Sequence, residues 1–172
     1  FRAAAQKLQT GWQSSGATTG RAVVMFANTK GGSGKTPTSI GTMSAIGIAR
    51  RGDVALVDFD PTGNLSGRLG LPPGRTVPNL LRLLDSVPTP TPTQLHEAMG
   101  WNAPGQFWAV GARESAVEKD GGVAPKITAG QVDAILHAIG TTCSVIGLDA
   151  GIDDADEGFI AAAEQATHLV VP

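Results

Sequence analysis

The stretch Asn28–Pro37, N-T-K-G-G-S-G-K-T-P, places the tightest limit on what this chain can fold into. It holds three glycines and two lysines within ten residues. The apolar run Ala22-Val23-Val24-Met25-Phe26-Ala27 precedes it, and the helix-compatible segment Thr38–Arg51 follows. Strand, glycine-rich turn and helix, in that order, let successive backbone N–H groups converge on an anion. Glycine accepts the tight backbone and has no Cβ to hold the anion away. The start of the helix adds a partial positive charge. On this reading Lys30, Gly31, Gly32, Ser33, Gly34, Lys35, Thr36 and Pro37 form a phosphate cradle. Lys35 brings a full charge to the terminal phosphates, and Thr36 offers a hydroxyl to Mg²⁺. The competing reading is a glycine-rich loop with no ligand. The lysine, the threonine, the glycine spacing and the flanking elements together argue against it.

The strict phosphate-loop pattern is G-x-x-x-x-G-K-[ST]. Its first glycine would fall at position 29, where this chain has Thr29, and Lys30 stands beside it. Two further stretches belong with this loop. Val54–Val57 reads as a buried strand and runs into Asp58-Phe59-Asp60-Pro61-Thr62-Gly63-Asn64. Aspartates at i and i+2 beyond a strand's C-terminal end reach the crevice where open α/β sheets bind ligands. Carboxylates there suit Mg²⁺ held through water, or the placing of an attacking water. Taken alone, the same residues make an Asp-Pro turn with solvated acids. The third stretch is Ser144–Asp149, an apolar strand ending in an acid, the form whose aspartate orders a Mg²⁺ shell in phosphate-loop proteins.

With K-G-G-x-G-K-T, V-D-x-D-P-x-G-N and the Asp149 strand in hand, the sequence resembles the ParA/MinD family of P-loop ATPases. The loop is the deviant Walker A form and Asp149 the Walker B position. The resemblance runs from Ala22 to Pro172, with its specific motifs in three short stretches. It implies an α/β fold with a mostly parallel central sheet and helices on both faces. It also implies ATP and Mg²⁺ as cofactors, a nucleotide-sandwich homodimer formed on ATP binding, and slow ATP hydrolysis. The expected role is a switch for DNA or plasmid partitioning, or for protein positioning. Non-specific DNA and an activating partner protein are the implied partners. By the same resemblance Lys30 reaches the other subunit's nucleotide and, with Lys35 and Asp60, serves catalysis. Asp60 places the attacking water, and Thr36, Asp58 and Asp149 surround the metal.

Members of the family usually continue past the Walker B acid as D-[ST]-[PA]-P, whereas this chain reads Asp149-Ala150-Gly151-Ile152. That departure motivates a second reading, a nucleotide-binding interaction or accessory module with little or no turnover. The resemblance also identifies the chain as incomplete after Pro172, since relatives continue for several more elements. The nitrogenase iron protein shares this loop but needs bridging cysteines, and the one cysteine, Cys143, falls short of a pair. Bacterial tyrosine kinases of this loop type need a tyrosine cluster, and the sequence has no Tyr.

A length of 172 residues suits one domain, read as 21–172, preceded by an arm and linker over 1–20. Phe1–Gln13 has helical spacing of Phe1, Ala4, Ala5, Leu8 and Trp12 and does not read as a secretory signal. Net charge of −2 argues against a pervasive nucleic-acid surface. No apolar run approaches the ~18 residues of a membrane span, so membrane association is not supported by this stretch. One cysteine excludes a disulfide framework, and a reducing cytoplasm fits.

The remaining segments alternate as an α/β chain should. The first helix has Ile40, Met43, Ile46 and Ile48 on or near its inner face, Gly41 and Gly47 for close packing on the sheet, and Gly52 as its stop. A helix over Asn79–Ser86 precedes a loop through Pro88, Pro90 and Pro92, then a short helix over Thr93–Met99. Gln106–Val110 reads as the third strand, with Trp101, Phe107 and Trp108 as core rather than base-stacking residues. Glu114–Gly122 reads as a loop. The spacing of Val132, Ile135, Leu136 and Ile139 predicts a helix capped by Thr128. Asp153, Asp154, Asp156 and Glu157 complement the dipole of a helix running to about Ala166, and Leu169–Pro172 reads as the last strand.

Overall fold

The computed structural model describes residues 21–112, 126–151 and 156–172. Six strands form one sheet: β1 (Ala22–Phe26), β2 (Val54–Asp58), β3 (Gly100–Asn102), β4 (Phe107–Val110), β5 (Val145–Asp149) and β6 (His168–Val170). Their spatial order is β3-β4-β2-β5-β1-β6. All neighbours are parallel except β3 and β4. The helices are α1 (Lys35–Arg50), α2 (Leu65–Leu69), α3 (Val77–Ser86), α4 (Pro92–Ala98), α5 (Ala129–Ile139) and α6 (Glu157–Gln165).

The continuous apolar runs have a simple cause. Successive strand residues point to opposite faces, so a strand covered on both sides must be apolar throughout. Val24, Phe26, Val54 and Leu56 pack with Met43 of α1, Phe107 and Ala109 on one face. Val23, Met25, Ala55, Val57, Ile146 and Leu148 pack on the other with residues of α3, α4, α5 and α6. This is the expected mostly parallel sheet between two helical layers.

Several local expectations need correction. Helix α1 starts at Lys35, because Gly34 adopts the left-handed conformation (φ 88°) and closes the loop there. Its buried stripe is Lys35, Ser39, Met43 and Gly47, at strict i, i+4 spacing. Ile40 and Ile46 are half-buried, and Ile48 is 54% exposed instead of facing inward. Gly47 does allow close approach, but to the turn between β3 and β4: a Cβ there would collide with the carbonyl oxygens of Gly105 and Gln106. A Cβ on Gly41 would meet nothing, so its packing role is withdrawn. Arg51 (φ 55°) already turns left-handed before Gly52 (φ 93°).

Pro92, read as loop, is the first residue of α4, where its missing N–H costs nothing. Thr91 and Gln94 form a capping box in front of it, and Thr128 and Gln131 form another at α5. Asp156 caps α6 by accepting from the N–H groups of Gly158 and Phe159. Strand β3 was not foreseen. It is three residues long and pairs antiparallel to β4, so Gln106–Val110 contains the fourth strand in chain order. Phe107 is fully buried, but Trp101 is 43% exposed and leans on Trp108 at 4.9 Å between ring centroids. Trp108 is half-buried and also stacks on His96 at 4.2 Å. Core packing therefore holds for Phe107 and fails for Trp101. The readings of the 1–20 arm, the Glu114–Gly122 loop, Asp153 and Asp154 lie outside the described residues. Among those described, no helix is long and apolar enough to cross a membrane.

Candidate functional site

The C-terminal ends of the three central strands stand level. Phe26 is registered with Asp149, and Asp149 with Asp58. A parallel sheet brings such ends to one edge, where the loops to the following helices meet. The Asn28–Gly34 loop leaves this edge from β1. It is anchored at its start by Ala27, whose N–H donates to the Val170 carbonyl at 3.0 Å. The Asn28 side chain braces the next turn. Its Oδ1 accepts from the Lys30 N–H at 3.0 Å, and its Nδ2 donates to the Pro172 carbonyl at 2.5 Å.

Gly32 (φ 74°) and Gly34 (φ 88°) are left-handed, a conformation that L side chains rarely adopt. A Cβ on Gly31, Gly32 or Gly34 would meet no atom within 4 Å. Backbone conformation, not crowding, therefore calls for glycine at the last two, and space is open beside all three. No side chain caps α1 and no acid lies in its first turn. Its leading N–H groups and positive dipole end are left for an anion.

The structure gathers Lys35, Thr36 and Asp149. Lys35 is buried, with 8% of its surface exposed, although it carries a charge. Asp149 is 1% exposed. Burial pushes its carboxyl above the ordinary range. Hydrogen bonds from Thr36 and Ser39 and the Lys35 charge hold it down, and Asp60 pushes it up again. Its Oδ2 accepts from the Ser39 hydroxyl at 3.2 Å. Its Oδ1 is buried with no hydrogen-bond partner. Lys30 lies exposed on the loop. The Ser33 hydroxyl is likewise buried without a partner.

Asp58 and Asp60 do different things. Asp58 is 1% exposed and accepts from two backbone groups, Asp60 N–H and Leu65 N–H, both at 3.1 Å. It pins the turn that follows β2. Half-buried Asp60 accepts from the N–H and hydroxyl of Thr62 at 2.9 and 2.7 Å. Burial, then the charge of Asp149, push Asp58 up to about 7 from 3.8, against the pull of its two backbone bonds.

That shift predicts a pH dependence of stability. Between the unfolded and folded pKa values the folded state holds the extra proton, so the contribution of Asp58 is full below pH 4 and lost as pH rises through about 7. In chelator-containing buffer, Asp58→Asn, which stays neutral at every pH, should therefore gain stability relative to wild type as pH rises from 4.5 to 8, so the gap between them shifts in the variant's favour. Urea midpoints across that range test this. A gap that does not change with pH rejects the assignment.

Two apolar cavities of about 210 and 220 Å³ flank Phe59 and Pro61, toward Lys126 and Ile127. No residue of 28–37 lines either one. Sequence reasoning missed Ser39 and gave no part to Asn28. Ser39 had a signal, a small polar residue four after Lys35 on the buried stripe of α1.

The residues fit a nucleotide with a hard cation. Among the described residues no group of three or more His, Cys, Asp or Glu forms a metal cage. Mg²⁺ does not need one: it keeps several waters and takes one or two carboxylates plus phosphate oxygens. The free Oδ1 of Asp149 beside Thr36 and Lys35 is a donor set of that kind.

Residues 24–168 match the family model described as the CobQ/CobB/MinD/ParA nucleotide binding domain. The chain is 47% identical over 58 residues to the chromosome-partitioning ATPase Soj of Treponema pallidum (strain Nichols), covering 34% of this chain and 22% of that protein. A ParA family ATPase from Chlorobium tepidum TLS superposes with TM-score 0.65 at 20% identity, over 88% of this chain and 60% of that one. Cobyrinic acid a,c-diamide synthase from Mycobacterium smegmatis, solved with a bound ATP analogue and magnesium, gives TM-score 0.61 at 25% identity, over 88% and 59%. The chain thus spans at most about three fifths of these relatives.

Proposed function

We propose, for a chain that belongs to the CobQ/CobB/MinD/ParA nucleotide-binding family, that it binds Mg-ATP at the Lys30–Pro37 loop and hydrolyses it slowly. In this reading ATP closes a sandwich of two copies, and hydrolysis reopens it, as a switch for DNA partitioning or protein positioning. The observation that carries the proposal is Lys35, a buried cation on the uncapped first turn of α1 beside Asp149. Burying a charge is costly unless a partner is at hand, and phosphate would be a second partner.

Each residue has a task. Gly31, Gly32, Ser33 and Gly34 turn backbone donors toward the phosphates. Lys35 neutralises the β- and γ-phosphate oxygens. Thr36 and Asp149 hold the cation's shell, and Asp58 adds the lone pairs left by its two backbone donors. Mg²⁺, when bound there, would neutralise charge that develops on the phosphates. Asp60 orients the attacking water. Lys30, exposed on the loop, is free to reach the other copy's nucleotide and stabilise charge as it develops.

The test is turnover by the full-length protein with Mg-ATP, compared with Lys30→Ala. The variant should keep ATP binding but lose ATP-dependent dimerisation in analytical ultracentrifugation. Its turnover should fall about 100-fold or more, as when an oxyanion-type donor is removed. Intact dimerisation and turnover would reject the trans role. The second reading, a nucleotide-binding module with little turnover, is favoured by Ala150. This residue is 1% exposed and brings no hydroxyl where the family usually has one, and its N–H is taken by the Phe26 carbonyl at 3.0 Å. ATP binding without hydrolysis, even with DNA and candidate partners present, would select it.

A further inference from the structure

Ser39 lies four residues into α1 and has no exposed surface. Its hydroxyl is within bonding distance of two acceptors, the Thr36 carbonyl at 2.9 Å and Asp149 Oδ2 at 3.2 Å. A serine in mid-helix commonly bonds back to the preceding turn and stops there. Here the same oxygen also reaches a carboxylate 110 residues away in sequence. A hydroxyl has one proton to give, and a bond to an ionised carboxylate is the stronger of the two.

The approach is built into the packing. One turn further along α1, Met43 lies over Gly147, two residues before Asp149 on β5. A Cβ on Gly147 would sit 2.8 Å from the Met43 sulfur. The missing side chain lets α1 lie close against β5, so the separation of Ser39 and Asp149 is set by two rigid elements. Sites supported this way hold their geometry better than sites on loops.

We propose that Ser39 is the positioning residue of the cation site. Its hydroxyl donates to Oδ2, so that Oδ1 remains the acceptor offered to the cation's water shell. The inference rests on the Mg-ATP reading above and adds a residue to it. It explains why Asp149 keeps one oxygen occupied and the other buried and unpartnered. A buried acceptor left unmade is costly, and a hydrated cation would satisfy it. Without Ser39, Oδ2 loses this donor and the carboxylate is freer to turn.

The test is binding of a fluorescent ATP analogue to the full-length protein, titrated in chelator and again in Mg²⁺. Wild type should bind more tightly with Mg²⁺. Ser39→Ala should lose about tenfold of that gain, equal to about 1.4 kcal/mol, while affinity in chelator changes less than twofold. In an Asp149→Asn background, Ser39→Ala should cause no further loss, because the group it positions is gone. Ser39→Cys, which keeps a weak donor, should fall between and serves if the alanine variant does not fold. If wild type gains from Mg²⁺ and Ser39→Ala gains equally, the positioning role is overturned and the nucleotide reading stands. Equal losses with and without Mg²⁺, together with a lowered melting temperature, would make Ser39 merely structural and also overturn it. No Mg²⁺ gain in wild type would remove the nucleotide reading and this inference together.

Discussion

Lys35→Ala should abolish high-affinity ATP binding and lower turnover by about 100-fold or more, the scale of losing a preorganised charge donor in a water-poor site. The side chain is buried at the N-terminal turn of α1, so its charge is felt through a medium less polar than water. It also holds down the Asp149 carboxyl, which burial and Asp60 push up. Removing it takes away the phosphate's partner and leaves Asp149 more readily protonated and less able to serve a cation. Both losses act on the same step, so affinity and turnover should fall together. Calorimetric titration of Mg-ATP alongside a phosphate-release assay measures them. Wild-type affinity in Lys35→Ala would show that this loop is not the phosphate cradle.

The other large effect is expected at Gly63. A Cβ there would collide with both carboxylate oxygens of Asp58. Gly63 has an ordinary φ, so the demand is for space and not for conformation. Asp58 cannot yield cheaply: it is buried and holds the backbone of Asp60 and Leu65. Gly63→Ala should cost about 2–6 kcal/mol, from overpacking of ~1–3 and a disturbed buried carboxylate network of ~1–3. Gly31→Ala is the contrast. Its Cβ meets nothing and its φ is ordinary, so it should stay within ~0.5 kcal/mol of wild type. Urea unfolding of the two variants decides it. Equal stabilities would mean that the turn after β2 is not pinned as described.

Much of the fold was legible because its signals are local. A run such as Val54–Val57 is apolar at every position, which suits a strand covered on both faces and little else of that length. Thr128 and Gln131 sit three residues apart, and that spacing alone produces the capping box. Where reading failed, the local signal was weak or was overridden. Strand β3 is three residues long and gains its order by pairing with β4. Ile48 is apolar but lies off the stripe Lys35-Ser39-Met43-Gly47, and the stripe was set by where α1 could approach the sheet. Trp101 stays at the surface because β3 is an edge strand.

The candidate site divides in the same way. The loop, the lysine and threonine at the head of α1, and the acids at the ends of β2 and β5 are legible in the chain. These follow from residue type and from the order strand, turn, helix, which near neighbours fix. What the acids do emerges once the chain has folded. Asp58 turned out to hold its own following turn, and Asp149 to keep one oxygen on Ser39 and the other without a partner. The Asp149 bond depends on how closely α1 lies on β5, where Gly147 offers no side chain against Met43, more than 100 residues along the chain. Spacing along a sequence records bonds between near neighbours, whereas a bond across the sheet exists only once both layers have packed.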